Sequence, residues 1–513
     1  MIKNVVILIW LVLVVCCHPG SERSAASQRP NIIVILADDM GYSDLGCMGS
    51  EIETPNLDQL AQNGLLFTHC YNASRCCPSR ASLLTGLYQH QAGMGFMVQD
   101  MGEPSYQGFL NEKCVTIPEL LKESGYQTIM AGKWHVGDDR EHWPDKRGFD
   151  QFFGIPQGGG LYFYPSKFID RPIYRNDELV TPDSSTFYTT DDFTDEAVKF
   201  LSDSEKSEAP FFMYLAYIAP HFPLQAWPED IAKYEAKYMV GYEAVRKKRF
   251  ERQKELGIID QTVDLSAPEY SFWDEERASV ESQKMAVYAA MIDRLDQNIG
   301  KLIQYLKSND EFENTLIFFL SDNGATAENV DRSPGSEIGT SSSFTSYGEK
   351  WANVSNTPFR NFKSQEYEGG IITPMIVHWP AGIQESGRRI VDIVHIMDIM
   401  PTCLDVAGVN YPGEYNDRTL SPLSGQSIYP IIKNEPIEND RLLFWEHMGN
   451  KAVRMKDAKL VKSRNGEWEL FDMENDPTEL NDLSSTNLKL KDSLEALWNE
   501  WAVENEVLDW PLN

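Results

Sequence analysis

The sequence predicts an α/β protein, with a large, mostly parallel sheet flanked by helices and a smaller C-terminal subdomain of antiparallel sheet plus helix. Three observations predict it. Four continuous apolar runs end in polar, chemistry-bearing residues; amphipathic helical patterns lie between them; and after about residue 430 the texture changes to short runs separated by turn signals. A run that is apolar at every position suits a strand buried on both faces, which is the environment a parallel sheet supplies.

In chain order, the first element is a leader. Residues 1–26 carry one Lys near the start, an apolar stretch from Val5 to Cys17 and then the polar HPGSERSAASQ, which is the layout of a signal peptide. The apolar stretch is short for a membrane span and no later run matches it, so no stable membrane span is expected. The chain reads as exported, periplasmic or secreted. Cleavage after Ser24-Ala25-Ala26 and lipidation at Cys16 or Cys17 are the two fates of the leader, and Val15 before Cys16 fits lipidation poorly.

A catalytic domain is expected over 29–430. Its strand candidates are NIIVILADD (31–39), YQTIMAGKWHVG (126–137), FFMYLAYIAPH (211–221) and TLIFFLSDNG (315–324). Ligands of open α/β sheets sit beyond the carboxyl ends of the strands, where these runs turn polar. IPELLKESG reads as a helix closed by Gly125. AAMIDRLDQNIGKLIQYLKS places Ile292, Leu295, Ile299, Leu302 and Leu306 on one face of another. Residues 227–285, rich in charge and Tyr, read as a helical insertion whose charges form a solvated face. The C-terminal subdomain, 431–513, combines RLLFWEHM, KAVRMKDAKLVKS and EWELFDM as short antiparallel strands with the amphipathic LKLKDSLEALWNEWAVEN as a covering helix.

Charge and cysteines exclude several classes. The net charge of −31 over 513 residues offers no basic field for nucleic acid or an anionic membrane. Any anionic substrate must be held by a few local cations. The six cysteines beyond the leader, Cys47, Cys70, Cys76, Cys77, Cys114 and Cys403, are too few for a disulfide framework in a chain of this size and show no zinc spacing.

Each polar strand end has a plain structural reading and a chemical one. Asp38-Asp39 would serve equally as a cap for the following turn, and Asp322-Asn323-Gly324 is ordinary turn chemistry. Brought to one sheet edge, three carboxylates and an amide form an all-oxygen set suited to Ca²⁺ or Mg²⁺, and without a cation they would repel. Lys133 and His135, two apart, share a side if the backbone there is extended. His221, after Ala219-Pro220, reads as a turn residue or a site residue, and Lys363 as an exposed loop cation or a reaching one. In SRCCPSRASLLTG, Pro78 marks the first turn of a helix, which puts Cys76 near the helix N-terminus, where an anion is favoured. The plain reading is that both cysteines are buried packing residues.

With these motifs assembled, the chain resembles the sulfatase family, in its arylsulfatase-like branch and the wider alkaline phosphatase superfamily. CCPSRASLLTG is similar to the family's Cys-x-Pro-Ser-Arg signature, LADDMG and SDNG to its metal motifs, and GKWHVG, APHFP and the region from NTPFR to Lys363 to the rest of its site. The match covers about residues 29–510. Tyr367 stands where the branch often has His before Glu-Gly-Gly, which bears on substrate contacts at that position.

The resemblance implies that a maturation enzyme converts Cys76 to formylglycine, with Cys77 as a spacer and Arg80 supporting the modified group. It implies a Ca²⁺ ion, Mg²⁺ being second choice, held by Asp38, Asp39, Cys76, Asp322 and Asn323. The hydrated aldehyde would attack sulfur, Lys133 and Lys363 would clamp the sulfate oxygens, His221 would protonate the leaving alcohol, and His135 would take the proton whose loss releases sulfate. The expected substrate is a sulfated carbohydrate or an aryl sulfate: the aromatic and glycine-rich QGGGLYFYP (157–165) and the segment after residue 227, expected at the pocket mouth, suit sugars and aryl groups alike, and export favours a glycan. Rival readings are a phosphonate or phosphate ester hydrolase of the same superfamily, and an inactive carbohydrate-binding relic. A Cys76-Cys77 redox pair lacks a Cys-x-x-Cys pattern.

Overall fold

In the computed structural model, residues 29–204, 209–268, 273–437 and 440–511 are described, so the leader predicted over 1–26 lies outside them. The four apolar runs become four neighbouring parallel strands. Asn31–Asp38 lies between Phe211–Pro220 and Thr315–Ser321, and Gln127–Lys133 pairs with the far side of Phe211–Pro220. Adjacent strands lie about 4.8 Å apart, so the four carboxyl ends form one edge roughly 14 Å wide. These strands belong to an 11-stranded sheet. It is mixed: Ile372–His378 runs antiparallel between Thr315–Ser321 and Leu65–Tyr71.

The uniform apolarity of the central strand has its expected cause. Ile33, Ile35 and Ala37 face one core and Ile32, Val34 and Leu36 the other, all essentially inaccessible to water. The first core is covered by the helix Ala278–Ser308, which buries all five residues predicted for its apolar face. The second is covered by Cys76–Thr85, Ile117–Glu123 and Ile399–Ala407. Helix Ile117–Glu123 begins with a capping box, the Thr116 side chain and Glu119 satisfying each other's backbone N–H groups. It ends as read from Gly125, whose φ of 88° only glycine adopts freely.

Two expectations need correction. The strand Gln127–Lys133 stops at Lys133, and His135 has a left-handed φ of 61°, so the two residues do not share a side by strand alternation. A turn in the backbone, and not strand geometry, brings His135 to the site. Segment 227–285 is helical, with Pro228–Ala232, Tyr242–Glu255 and the first turns of Ala278–Ser308, yet its charges are not all solvated. Arg246 and Arg249 are buried, and Arg249 pairs with Asp44 and Glu51 on the main domain. Periodicity could not show this, because a buried ion pair looks like a polar face until its distant partner is known.

The C-terminal part is a four-stranded antiparallel sheet, Leu442–His447, Asn450–Met455, Ala458–Lys462 and Glu469–Asp472, with helix Leu488–Glu504 against it. Trp445, Trp498 and Trp501 continue one of the two main cores. A buried ion cluster ties this sheet to the catalytic part: Lys459 Nζ is 2.8 Å from Glu368 Oε1 and 2.8 Å from Glu479 Oε1. Among the described residues, no helix is long and apolar enough to cross a membrane, and all six cysteines are free thiols.

Candidate active site

The edge formed by the four strand ends collects the candidates. At Leu36–Asp38 the pairing with Phe211–Pro220 slips out of register, so that Asp38 lies opposite Pro220. Such a bulge re-aims side chains at a strand end. Asp39 follows with a left-handed φ of 67°. Asp322 and Asn323 leave the neighbouring strand beside them: the Asp39 N–H donates to Asp322 Oδ1 at 3.3 Å, and Asn323 Nδ2 donates to Asp39 Oδ1 at 2.7 Å.

Three oxygens of this group, Asp38 Oδ1, Asp39 Oδ2 and Asn323 Oδ1, are buried and accept no hydrogen bond. Buried acceptors are nearly always satisfied, so three together are candidate ligands for a cation. The donor set is hard oxygen, which fits a divalent ion of the Ca²⁺ type. Asp322 is placed differently. Its Oδ2 accepts from Arg80 Nε at 3.1 Å and Nη2 at 2.8 Å, and Arg80 Nη1 donates to the Lys133 carbonyl at 3.0 Å.

Two lysines and an imidazole close over the carboxylates. Lys133 Nζ is 2.5 Å from Asp38 Oδ2, and Lys363 Nζ is 2.5 Å from Asp39 Oδ1. Lys363 arrives on a loop whose backbone N–H donates to the Ala325 carbonyl at 3.1 Å, two residues beyond Asn323 in the chain. His221 Nε2 lies 3.6 Å from Asp39 Oδ2, and its Nδ1 is 2.6 Å from the Phe222 carbonyl. A carbonyl only accepts, so Nδ1 carries a proton and Nε2 faces the site. Burial raises the Asp38 carboxyl, but Lys133, His221 and Arg80 outweigh it and hold the group well below the usual carboxylate range.

Cys76 is the first residue of helix Cys76–Thr85. Donor atoms of Cys76, Cys77 and His135 all lie within 4.8 Å of one another. The two thiols are nonetheless in opposite electrostatic situations. A hydrogen bond from Cys77 and the charges of Lys133 and Lys363 pull Cys76 well below the ordinary thiol range despite its burial. Burial and the neighbouring Cys76 push Cys77 well above it. Burial and Lys133 lower His135 to about 4, against the pull of Cys76, so the imidazole is neutral at pH 7.

The glycines of QGGGLYFYP reach the site. A Cβ on Gly158 would lie 2.9 Å from His135 Nε2, and one on Gly159 would lie 3.5 Å from Asp38 Oδ2. Of its aromatic part, Tyr162 donates from its hydroxyl to the His221 carbonyl at 2.7 Å, whereas Phe163 turns away and packs on Tyr188 and Trp227. The ring beside His221 is Phe222, stacked at 4.4 Å, with Phe344 and Phe168 beyond it. Tyr367 sits outside the site: it is buried, and its hydroxyl donates to Glu469 Oε2 at 2.9 Å on the C-terminal sheet. Sequence reasoning missed Asp44 and Tyr288 beneath Asp39. Neither has a local signal, since a Tyr or Asp is unremarkable until its partner is known.

This geometry has counterparts in known proteins. The family model described as Sulfatase matches residues 30–409. The chain belongs to the sulfatase family. A second model, N-sulphoglucosamine sulphohydrolase, C-terminal, matches residues 361–502 of this sulfatase. An uncharacterized sulfatase of Schizosaccharomyces pombe is 35% identical, with 96% of each chain covered. The arylsulfatase of Klebsiella aerogenes is 35% identical over 80% of this chain and 94% of its own. The solved structure of Ps i-CgsB in complex with k-i-k-neocarrahexaose aligns with a TM-score of 0.72 at 32% identity, covering 94% of this chain and 95% of the other. The sulfatase is accordingly a sulfuric ester hydrolase, and its large mixed sheet with an antiparallel C-terminal subdomain is the family architecture.

Proposed function

We propose that this sulfatase is an exported enzyme that hydrolyses sulfate esters of carbohydrates, using formylglycine made from Cys76 by a maturation enzyme and a Ca²⁺ ion held by Asp38, Asp39, Asn323, Asp322 and the modified Cys76. The observation that carries the reading is the set of three buried oxygens that accept no hydrogen bond, beside the cations Lys133 and Lys363 at the helix end that begins with Cys76. The ion, when bound, supplies Lewis-acid chemistry, withdrawing charge from sulfate and easing deprotonation of an oxygen it coordinates. Hydrated formylglycine supplies a nucleophilic hydroxyl and a second hydroxyl through which sulfate is released.

The chain's own residues do the rest. Lys133 and Lys363 turn from their carboxylates to the sulfate oxygens and stabilise the charge of the transition state. His221 delivers a proton from Nε2 to the leaving alcohol oxygen, its ring held by the Phe222 carbonyl at Nδ1. His135, against the position of Cys76 Sγ, accepts the proton of the second hydroxyl. Arg80 holds Asp322 and the Lys133 carbonyl in register, so that the pocket keeps its shape.

A carbohydrate substrate is supported by the oligosaccharide bound to Ps i-CgsB and by the Phe222 ring stacked beside His221. The test pairs mass spectrometry of the Cys76 peptide from the native host with turnover of sulfated mono- and oligosaccharides against matched aryl sulfates and aryl phosphonates. The aldehyde form and faster cleavage of a sulfated sugar are expected. An unmodified thiol in active enzyme, or faster phosphonate cleavage, sinks the proposal.

A further inference from the structure

The segment that reads as a solvated insertion reaches under the cation site. Asp39 holds a left-handed φ of 67°, a conformation unfavourable for a residue with a side chain unless the surroundings impose it. What lies beneath it is a chain of buried polar contacts. The Asp44 carboxylate closes the loop on itself, Oδ2 accepting from the Gly41 N–H at 2.8 Å. The same Oδ2 accepts from the Tyr288 hydroxyl at 2.8 Å, and that hydroxyl also lies 3.3 Å from the Asp39 carbonyl. The single hydroxyl hydrogen points mainly to the Asp44 carboxylate and is shared over the longer distance with the Asp39 carbonyl, so Tyr288 sits between the Asp44 carboxylate and the Asp39 backbone and links them.

Asp44 is wholly buried, and a buried carboxylate needs a cation. Arg249, from helix Tyr242–Glu255, supplies it. Its Nη1 is 2.6 Å from Asp44 Oδ1 and 3.1 Å from Ser43 Oγ, while Nε and Nη2 take both oxygens of Glu51 at 2.9 and 2.8 Å. The guanidinium therefore grips both ends of the loop that follows the strand, and its planar fork allows no lysine equivalent. We propose that Arg249 is a positioning residue of the cation site, acting through Asp44 and Tyr288 to hold the Asp39 backbone in the conformation that aims its carboxylate inward. The proposal rests on Asp39 being a cation ligand, as in the proposed function.

The test measures Ca²⁺ affinity directly, by titrating chelator-stripped full-length protein against a chromophoric chelator, alongside urea unfolding of the stripped protein and kcat at saturating Ca²⁺. Residues that orient metal ligands typically carry 10–100-fold in affinity, so Arg249→Lys, Arg249→Met and Tyr288→Phe should each weaken Ca²⁺ binding by about that factor. Most of kcat should return at saturating Ca²⁺. Arg246→Lys, on the same helix but bonded to Ser266, should lower stability and keep wild-type affinity. If Arg249→Met does not fold, Tyr288→Phe carries the test, because its ring remains stacked on Tyr347 at 4.3 Å. Unchanged affinity in Tyr288→Phe and Arg249→Lys, with stability loss alone, overturns the positioning role and leaves the proposed function standing. Failure of the stripped wild type to bind Ca²⁺ overturns both.

Discussion

Arg80 and Asp322 form a two-point pair with no access to water, Nε and Nη2 of the one lying 3.1 and 2.8 Å from Oδ2 of the other. The pair joins the helix that begins with Cys76 to the strand end that supplies Asn323. Removing one partner leaves an uncompensated buried charge, which costs about 3–5 kcal/mol. Arg80→Leu should lose stability of that order in urea unfolding, together with activity. A loss under about 1 kcal/mol, the worth of an exposed pair, would contradict the buried-pair account.

The two adjacent cysteines should behave unlike each other. Cys76→Ala should abolish turnover, while Cys77→Ala should retain most of it and lose only modest stability from the cavity it leaves. Turnover assays on both variants, each checked for folding by circular dichroism, decide the matter; equal loss in both contradicts the assignment of roles.

General-acid help matters most when the leaving alcohol is a poor one. His221→Asn should therefore slow a sugar sulfate by roughly 10²–10⁴-fold and a nitrophenyl sulfate much less. Comparing kcat/KM for the two substrates in both enzymes reads this out, and an equal loss on both would falsify the proton-donor role.

Gly158 has no room for a side chain on the His135 side. Because an added Cβ would meet Nε2 at 2.9 Å, Gly158→Ala should displace the imidazole and lower kcat while leaving the melting temperature close to wild type. Wild-type kcat in a folded variant would show that this loop does not bear on His135.

Glu366 is a buried carboxyl, with Oε1 accepting from Ser74 Oγ at 3.0 Å, and burial, aided by Glu446, pushes it up to about 8. Between its unfolded value near 4.5 and 8, the unfolded chain releases this proton and the folded chain keeps it. Folding stability from this group is therefore fully present below the lower value and is lost as pH rises towards the upper one. Glu366→Gln, neutral throughout, should gain on the wild type across that window by up to about 1.4 kcal/mol per pH unit. Melting curves of both proteins measured from acid to mildly alkaline pH check the slope; parallel curves would mean that Glu366 ionises normally.

Much of the candidate site's edge is legible in the sequence because it is encoded locally. A strand buried on both faces must be apolar throughout, so NIIVILADD and TLIFFLSDNG declare both their burial and the residue where it ends. Pro78 near the start of Cys76–Thr85, the Thr116–Glu119 box and the five-residue face of Ala278–Ser308 are equally local. His135 escaped strand reasoning because a single left-handed residue overrides alternation. The charges of 227–285 escaped it because Arg249 and Asp44, 205 residues apart, look solvated until paired.

By itself, then, the sequence determined the strands, their polar ends, the capped helices and the motifs that make this chain a sulfatase, since each depends on neighbours within a turn or two of the backbone. Only the tertiary structure decided which ends stand side by side. It set Thr315–Ser321, Asn31–Asp38, Phe211–Pro220 and Gln127–Lys133 in that order, brought Lys363 across to Asp39, and drove the Cys76 and Cys77 thiols in opposite directions. The physical reason is that strand order and electrostatic environment are sums over contacts distant in the chain, and no local pattern carries them.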